Sequence, residues 1–161
     1  MAEDEVQNVE ELLDGYKSKV ATVFKGTVTW EKDFIFAGRT QKGYEIDFDA
    51  NVEWGCQPSE PLMLSLGACI ATDCVMFLQK MKVQLSSFKV DIQGTKPEQP
   101  PQYFKQFDVM LHISGKNLTE NKVQRAISLS QDKYCGIYHS LRRDVVMNIK
   151  YELKHDADVS E

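Results

Sequence analysis

The feature that most limits how this chain can fold is an apolar run at residues 62–78. It follows Pro58-Ser59-Glu60-Pro61, in which the serine can cap a helix and the glutamate and second proline suit its first turn. We therefore predict a helix from about Ser59 to about Met81. Because this helix is apolar on nearly every face, it must be covered on nearly all sides.

The same run is at the short limit for a membrane span, and Asp73 near its end would be costly in lipid. A helix buried in protein is the better interpretation, so we predict no membrane association. One chain of 161 residues is too small to wrap such a helix completely. We therefore expect a second copy of the chain to cover it, in a homodimer with the helix near the interface.

Strand-like segments, rich in β-branched and aromatic residues, lie on both sides of this helix. Further helices are predicted over residues 119–129 and 132–141, and residues 1–18 are expected to form an acidic helix or a loosely held arm. The element order is βββαββααβ, which indicates an α+β fold with a largely antiparallel sheet packed on a buried central helix. The predicted strands are residues 19–30, 34–37, 44–48, 88–94, 104–114 and 145–153.

The charge and the N-terminal residues limit the partners and the location of the protein. The net charge is −5 and the pI is near 5.3, so no basic excess is available to bind phosphates and we predict no nucleic-acid partner. The first residues contain no basic and apolar export signal, from which we expect a cytoplasmic protein. We expect one domain over residues 1–161, with a frayed tail at 155–161.

Four cysteines offer the best candidates for chemistry. Cys69 lies inside the apolar helix, and Cys135 lies near the predicted start of the short helix at 132–141, where amide groups and the helix dipole stabilise a thiolate. A thiolate can attack a peroxide, and a second thiol can trap the resulting sulfenic acid as a disulfide. Buried cysteines also serve as small apolar side chains, and spacing alone leaves both interpretations open. We interpret Cys56 and Cys74 as structural. The spacings match no zinc pattern, so no metal site is predicted.

Two segments resemble motifs of the OsmC/Ohr family. Residues 58–69, Pro-Ser-Glu-Pro-Leu-Met-Leu-Ser-Leu-Gly-Ala-Cys, resemble the family's Pro-x-Glu-x-x-x-x-x-x-Gly-x-Cys helix start, and Lys133-Tyr134-Cys135 resembles its second cysteine segment. The element order and the separation of the two cysteines by 66 positions along the chain also fit. The resemblance, which spans about residues 20–153, implies an OsmC-like fold and an intertwined homodimer with two active sites at the subunit interface.

The resemblance also implies a role for each matching residue. Cys69 corresponds to the peroxidatic cysteine and Cys135 to the resolving cysteine. Glu60 corresponds to the glutamate at the helix start, and Arg39 is the candidate for an arginine that pairs with it, activates the thiol and orients the peroxide. Without that role, Arg39 would be a solvated turn residue and Glu60 a first-turn carboxylate favoured by the helix dipole.

The implied activity is a thiol-dependent reduction of organic hydroperoxides and of hydrogen peroxide. It needs no metal or organic cofactor, but an external dithiol, such as a lipoyl-bearing protein, must regenerate the thiols. Glu60 precedes Cys69 by nine positions instead of the ten expected in the family's peroxidases, and this spacing resembles a YhfA-like branch. Two alternatives therefore stay open: a non-catalytic dimer that binds an apolar small molecule at its interface, and a redox sensor that turns over slowly.

Overall fold

The computed structural model describes residues 9–19 and 21–156. Within this part of the chain, the residues form two compact units. The first comprises the described residues up to Tyr16 and those from Ser65 onward, and the second comprises Lys17–Leu64. The expectation of one domain over residues 1–161 stays a prediction, and each unit is considered by itself below.

The second unit is built on a three-stranded antiparallel sheet in the order β1-β2-β3, with β1 at Gly26–Lys32, β2 at Ile35–Thr40 and β3 at Glu45–Asp49. Both turns contain a residue with positive φ, Asp33 at 46° and Gly43 at 90°. Asp and Gly adopt this conformation more readily than other residues, and tight hairpins require it. The three predicted strands are confirmed, although the first begins at residue 26 and not at 19.

A buried carboxylate organises the loop that leaves this sheet. Asp49 is 2% exposed, and its side chain accepts hydrogen bonds from the backbone N–H groups of Asn51, Glu53 and Trp54 at 2.9, 3.2 and 3.1 Å. These bonds lower the pKa of Asp49, with that from Asn51 contributing most. The loop therefore holds a fixed shape on its way to the next helix.

The predicted central helix is confirmed and is α1, at Ser59–Lys80. Its buried residues recur every three or four positions, which places them on one face. Gly67 lies on this face, and a Cβ added there would be 3.6 Å from Val90 and 3.7 Å from Ile92, so the helix packs against the strand that carries those residues. The buried residues are Leu66, Gly67, Ile70, Asp73, Cys74, Phe77 and Leu78.

Part of the apolar surface of α1 is left uncovered by the single chain, as the sequence predicted. Leu62 is 43% exposed, Leu64 is 60% exposed and Ala68 is also exposed. By length and composition α1 could cross a membrane. Its buried Asp73 and its packed face are instead typical of a helix in the core of a folded protein.

The first unit contains a second three-stranded sheet, formed by β4 at Gln84–Thr95, β5 at Gln106–Lys116 and β6 at Val146–His155. Strands β4 and β5 are antiparallel, whereas β5 and β6 are parallel. The chain reaches β6 through a helical crossover, and such a connection is what a parallel pair requires. The predicted α+β fold and its strands are confirmed. The sequence predicted one largely antiparallel sheet, whereas the described residues form two small sheets, one of which contains a parallel pair.

The helical crossover differs from its prediction at Cys135. Helix α2 spans Glu120–Leu129, as predicted, and is followed by a π-helical turn at Ser130–Tyr134 and a short helix, α3, at Gly136–His139. The predicted helix over residues 132–141 is therefore divided in two. Cys135 lies at the division, with extended backbone at φ −75° and ψ 94°, and is the N-cap residue of α3.

The sequence predicted an acidic helix or arm at the N-terminal end and a frayed tail at the C-terminal end. The described part of the N-terminal segment forms a helical turn at Val9–Leu12. Val9 and Leu13 are 0% and 3% exposed, so this part packs against the protein. Residues 1–8 and 157–161 lie outside the described residues.

Candidate redox site

The structure brings together the two cysteines singled out in the sequence. The Sγ atoms of Cys69 and Cys135 and a carboxylate oxygen of Asp73 all lie within 4.8 Å of one another. Helix α1 supplies Cys69 and Asp73, which are four residues and therefore about one turn apart. The break between the π-helical turn and α3 supplies Cys135. Both cysteines are free thiols, and a disulfide between them requires their sulfur atoms to approach to about 2.05 Å.

The two thiols differ in their access to solvent. Cys69 is half-buried, whereas Cys135 is 0% exposed. A small oxidant from solution can therefore reach Cys69 more easily than Cys135. This difference agrees with the order of events that the resemblance implies, in which Cys69 reacts first and Cys135 second.

Cys135 does not have the electrostatic setting expected from its position in the sequence. Burial raises the pKa of Cys135 to about 12, and the neighbouring Cys69 and Asp73 contribute in the same direction. The backbone N–H of Tyr138 donates to its Sγ at 3.4 Å and lowers the pKa, but burial outweighs this bond. Cys135 is therefore a thiol at neutral pH, because the thiolate favoured at a helix N-terminus is here disfavoured by burial.

Asp73 is the third member of the site and is 0% exposed. The hydroxyl of Tyr16 donates a hydrogen bond to its Oδ1 at 2.8 Å, and the hydroxyl of Ser130 donates one to its Oδ2 at 2.9 Å. Burial, together with the hydrogen bond and the charge of Asp73, raises the pKa of Tyr16. The Tyr16 ring also lies against Phe77 and Tyr134, with centroids 5.4 and 5.3 Å away. The carboxylate is thus held from two sides.

Cys74 lies beside this group and is 1% exposed. Burial raises the pKa of Cys74 to about 12, with smaller contributions from the charges of Asp73 and Cys135. It is a protonated side chain within the core, in agreement with the structural role expected for it.

Arg39 and Glu60 each have a local partner in this chain. Arg39 is directly opposite Glu45 in the β2–β3 pair, and its guanidinium donates to that carboxylate through Nε at 2.8 Å and also through Nη2. Oε2 of Glu60 accepts a hydrogen bond from the backbone N–H of Gln57 at 2.7 Å, which satisfies an amide at the start of α1. These contacts fit the structural interpretations of both residues, and their catalytic roles stay predictions.

Comparison with known proteins places the chain in a family. Residues 48–150, more than half of the chain, match a family model described as OsmC-like protein. The chain belongs to the OsmC-like family. The recognition made from the two cysteine segments is therefore confirmed.

Individual relatives of this OsmC-like chain agree with the assignment. Protein YhfA of Escherichia coli (strain K12) is 28% identical over 127 residues, which cover 78% of this chain and 95% of the relative. The nine-residue spacing between Glu60 and Cys69 had predicted this branch.

Two solved structures show the same fold. A protein from Aquifex aeolicus VF5 superposes with a TM-score of 0.77 at 22% identity, covering 85% of this chain and 100% of the other. A Legionella pneumophila protein named organic hydroperoxide resistance protein OsmC superposes with a TM-score of 0.57 at 14% identity, covering 84% and 98%. At these identities the likeness concerns the fold alone.

Sequence reasoning missed three residues of the site. It noted Asp73 only as a polar interruption of an apolar run, and it assigned nothing to Tyr16 or Ser130. The spacing along the helix could have identified Asp73, because a carboxylate four positions after Cys69 must lie on the same side of the helix. No sequence pattern connects Tyr16 and Ser130 to Asp73, from which each is separated by 57 positions.

The site also has the composition of a metal-binding group. One atom each from Cys69, Cys135 and Asp73 lies as close to the others as the ligands of a metal ion do, but binding an ion would require both thiols to lose their protons. The expectation that no metal is needed stays a prediction.

Proposed function

We propose that this OsmC-like protein is a cysteine-based peroxidase that reduces organic hydroperoxides and hydrogen peroxide. The observation that supports it most is the grouping of a half-buried thiol, Cys69, with a fully buried thiol, Cys135, within 4.8 Å. Such a pair suits a reaction in which the accessible sulfur is oxidised first and the buried sulfur resolves the product. The name of the Legionella relative, an organic hydroperoxide resistance protein, supports the choice of substrate class.

The reaction proceeds in three steps: oxidation of Cys69, formation of the disulfide and its reduction by a dithiol. The Cys69 thiolate attacks the terminal oxygen of the hydroperoxide, the O–O bond breaks, and the alkoxide takes a proton and leaves as an alcohol. Cys135 then attacks the sulfur of the Cys69 sulfenic acid, which forms the disulfide and releases water. An external dithiol, for example on a lipoyl-bearing protein, reduces the disulfide by exchange and becomes a disulfide itself. No metal or organic cofactor takes part, and the reducing cytoplasm supplies the dithiol.

The proposed active form is a homodimer. Large apolar side chains of β1 and α1 are exposed in the single chain, including Val28 at 66%, Trp30 at 63% and Leu64 at 60%. Large apolar patches on a protein surface usually mark an interface, and a second copy of the chain is the proposed partner. Light scattering on the purified protein should give twice the chain mass, and Trp30→Lys should reduce it toward one chain mass.

The test of the activity follows the thiols directly. Reduced protein is treated with a slight excess of cumene hydroperoxide and then mapped by peptide mass spectrometry. A rapid Cys69–Cys135 disulfide is expected, together with steady peroxide consumption when dihydrolipoamide is supplied. Cys69→Ser should abolish consumption, whereas the matched control Cys56→Ser should retain it. Unchanged thiols, or full consumption by Cys69→Ser, would overturn the assignment.

A second candidate function is the binding of an apolar small molecule without turnover. An apolar cavity of about 300 Å³ in the second unit favours it, lined by Val28, Phe36, Phe48 and Pro58. Native mass spectrometry of the protein as purified would then show a bound apolar compound, and cumene hydroperoxide would produce no disulfide. A disulfide that forms quickly but is re-reduced slowly by dihydrolipoamide would instead favour a redox sensor.

A further inference from the structure

The position of Cys135 creates a chemical problem for the proposed peroxidase. A thiol must lose its proton before it can attack another sulfur atom, because the thiolate is the nucleophile. The Cys135 sulfur is completely buried, and its surroundings favour the protonated form. Bulk water has no direct access to this thiol. A group inside the site must therefore accept the proton if the disulfide is to form quickly.

Asp73 is placed to be that group. Its carboxylate oxygen lies within 4.8 Å of both sulfur atoms, a separation that a rotation of the Cys135 side chain or one bridging water can span. Bonds from Tyr16 and Ser130 fix the carboxylate in orientation. The thiols of Cys69 and Cys74 also interact with Cys135, and the Tyr16 phenol is hydrogen-bonded to Asp73. Asp73 is the one carboxyl group among these side chains, and carboxylates serve as general bases in enzymes.

We propose that Asp73 accepts the proton of Cys135 and returns it to the departing oxygen when the Cys69 sulfenic acid is resolved. This role rests on the proposed peroxidase function and specifies its second step. The Cys135 thiol passes its proton to the carboxylate, and the sulfur attacks the sulfur of the Cys69 sulfenic acid. The S–O bond breaks, and the leaving hydroxide takes the proton from Asp73 and departs as water. The Cys135 sulfur is oxidised, the Cys69 sulfur is reduced, and Asp73 is a carboxylate again.

The charge of the site favours this transfer over simple ionisation. If Cys135 lost its proton to solvent, a thiolate and a carboxylate would lie close together in a buried space, and each would disfavour the other. Transfer to Asp73 moves the negative charge from oxygen to sulfur without adding a second one. The Asp73 carboxylate therefore disfavours a lasting Cys135 thiolate. By taking up the proton, it nevertheless allows that thiolate to form during the reaction.

The experiment separates the second chemical step from the first. Reduced wild-type and Asp73→Asn proteins are mixed with cumene hydroperoxide, sulfenic acid is trapped with dimedone at short times, and the disulfide is quantified by mass spectrometry. The Asn variant should form sulfenic acid at a rate within about threefold of the wild type. Its disulfide should form about 100-fold more slowly, the lower end of the range for a lost general base. Asp91→Asn, a change at an exposed carboxylate, is the matched control and should behave as the wild type.

The pH dependence gives a readout that a structural role would not produce. With Asp73 present, disulfide formation should vary little between about pH 6 and pH 8, because Asp73 and not the solvent removes the proton of Cys135. In Asp73→Asn it should rise about tenfold per pH unit over the same range, as the thiolate fraction does. A wild-type rate that itself rises about tenfold per unit would overturn the proposal without any variant. The proposal would also be overturned if the disulfide formed in Asp73→Asn at the wild-type rate or faster.

A second reaction tests the role of Asp73 even if peroxide is not the substrate. In a Cys56→Ser background, Cys69 is converted to a mixed disulfide with thionitrobenzoate, and attack by Cys135 then releases the coloured thiolate. Asp73→Asn should slow this release by about the same factor, since the proton of Cys135 must still be removed. Slow release with no reaction toward peroxide would retain the role of Asp73 and reject the peroxidase. Equal release rates in the two proteins would reject the role of Asp73.

Discussion

The hydroxyl of Tyr16 donates a 2.8 Å hydrogen bond to Oδ1 of Asp73, across 57 positions of the chain. This bond connects the N-terminal segment, predicted only as an acidic helix or arm, to the centre of the cysteine site. Since Ser130 bonds the other oxygen, the carboxylate depends on two distant parts of the chain for its orientation. The N-terminal segment is thus part of the site and not an appendage to it.

Tyr16→Phe should destabilise the protein by about 1–2 kcal/mol, because it removes a hydrogen bond to a buried carboxylate and leaves the ring in place. Urea unfolding of the reduced protein, followed by far-ultraviolet circular dichroism, measures the change in the free energy of unfolding. Tyr44→Phe is the control, since Tyr44 is 74% exposed and should lose almost nothing. Equal stability of the two variants would mean that the Tyr16 bond contributes little.

The secondary structure could be predicted because each element carries a local pattern. The alternation of Phe107, Val109, Leu111 and Ile113 gave β5, and all four side chains are buried. The Pro-Ser-Glu-Pro segment predicted the start of α1 to within one residue. The pairing of strands could not be derived in the same way. The parallel arrangement of β5 and β6 depends on where the helical crossover returns the chain, and no residue of either strand encodes that.

The site could be predicted only in part for a related reason. Cys69 and Cys135 were found from motifs that resemble those of a family. The thiol character of Cys135 could not be found, because it depends on complete burial and on a carboxylate from another helix. The π-helical turn that ends at Tyr134 also has no clear sequence signal, yet it makes Cys135 an N-cap residue and not a helical one.

Gly67→Ala should stabilise the protein by about 0.5–1 kcal/mol, since alanine is the better helix former. The added Cβ would meet Val90 and Ile92 at 3.6 Å or more, which is ordinary contact. Gly115→Ala, the matched comparison, would place a Cβ 2.4 Å from the backbone oxygen of Gln84 and should destabilise by about 1–3 kcal/mol. Thermal and urea unfolding of both variants tests the pair. A loss of stability in Gly67→Ala would show that this face of α1 is packed too tightly to accept the added Cβ.

The four thiols should differ widely in their reaction with iodoacetamide at neutral pH. Cys56 and Cys69 are half-buried and should be alkylated first, whereas Cys74 and Cys135 are buried and should react at least about 100-fold more slowly. A time course of peptide mass spectrometry on the reduced native protein measures the four rates. In urea the rates should become similar, which is the control for intrinsic reactivity. Early labelling of Cys135 would contradict its assignment as a buried thiol.

The reduced protein should lose stability as the pH rises above about 9. Burial, with the charges of Asp73 and Cys135, raises the pKa of Cys74 to about 12, whereas a cysteine thiol in the unfolded chain has a pKa of about 8.5. Between these values the unfolded chain releases a proton that the folded chain retains, so a rising pH favours unfolding. The contribution of Cys74 is complete below about pH 8.5 and is lost progressively toward pH 12.

The expected slope from Cys74 is about 1.4 kcal/mol per pH unit within that window. Urea unfolding at several pH values in the presence of a reductant measures it. Cys74→Ala should have a shallower slope by about that amount, even though its stability at neutral pH is lower because of the lost packing. Cys56→Ala is the control and should keep the wild-type slope. If Cys74→Ala and the wild type lose stability in parallel, the thiol of Cys74 ionises in the folded protein as readily as in the unfolded chain.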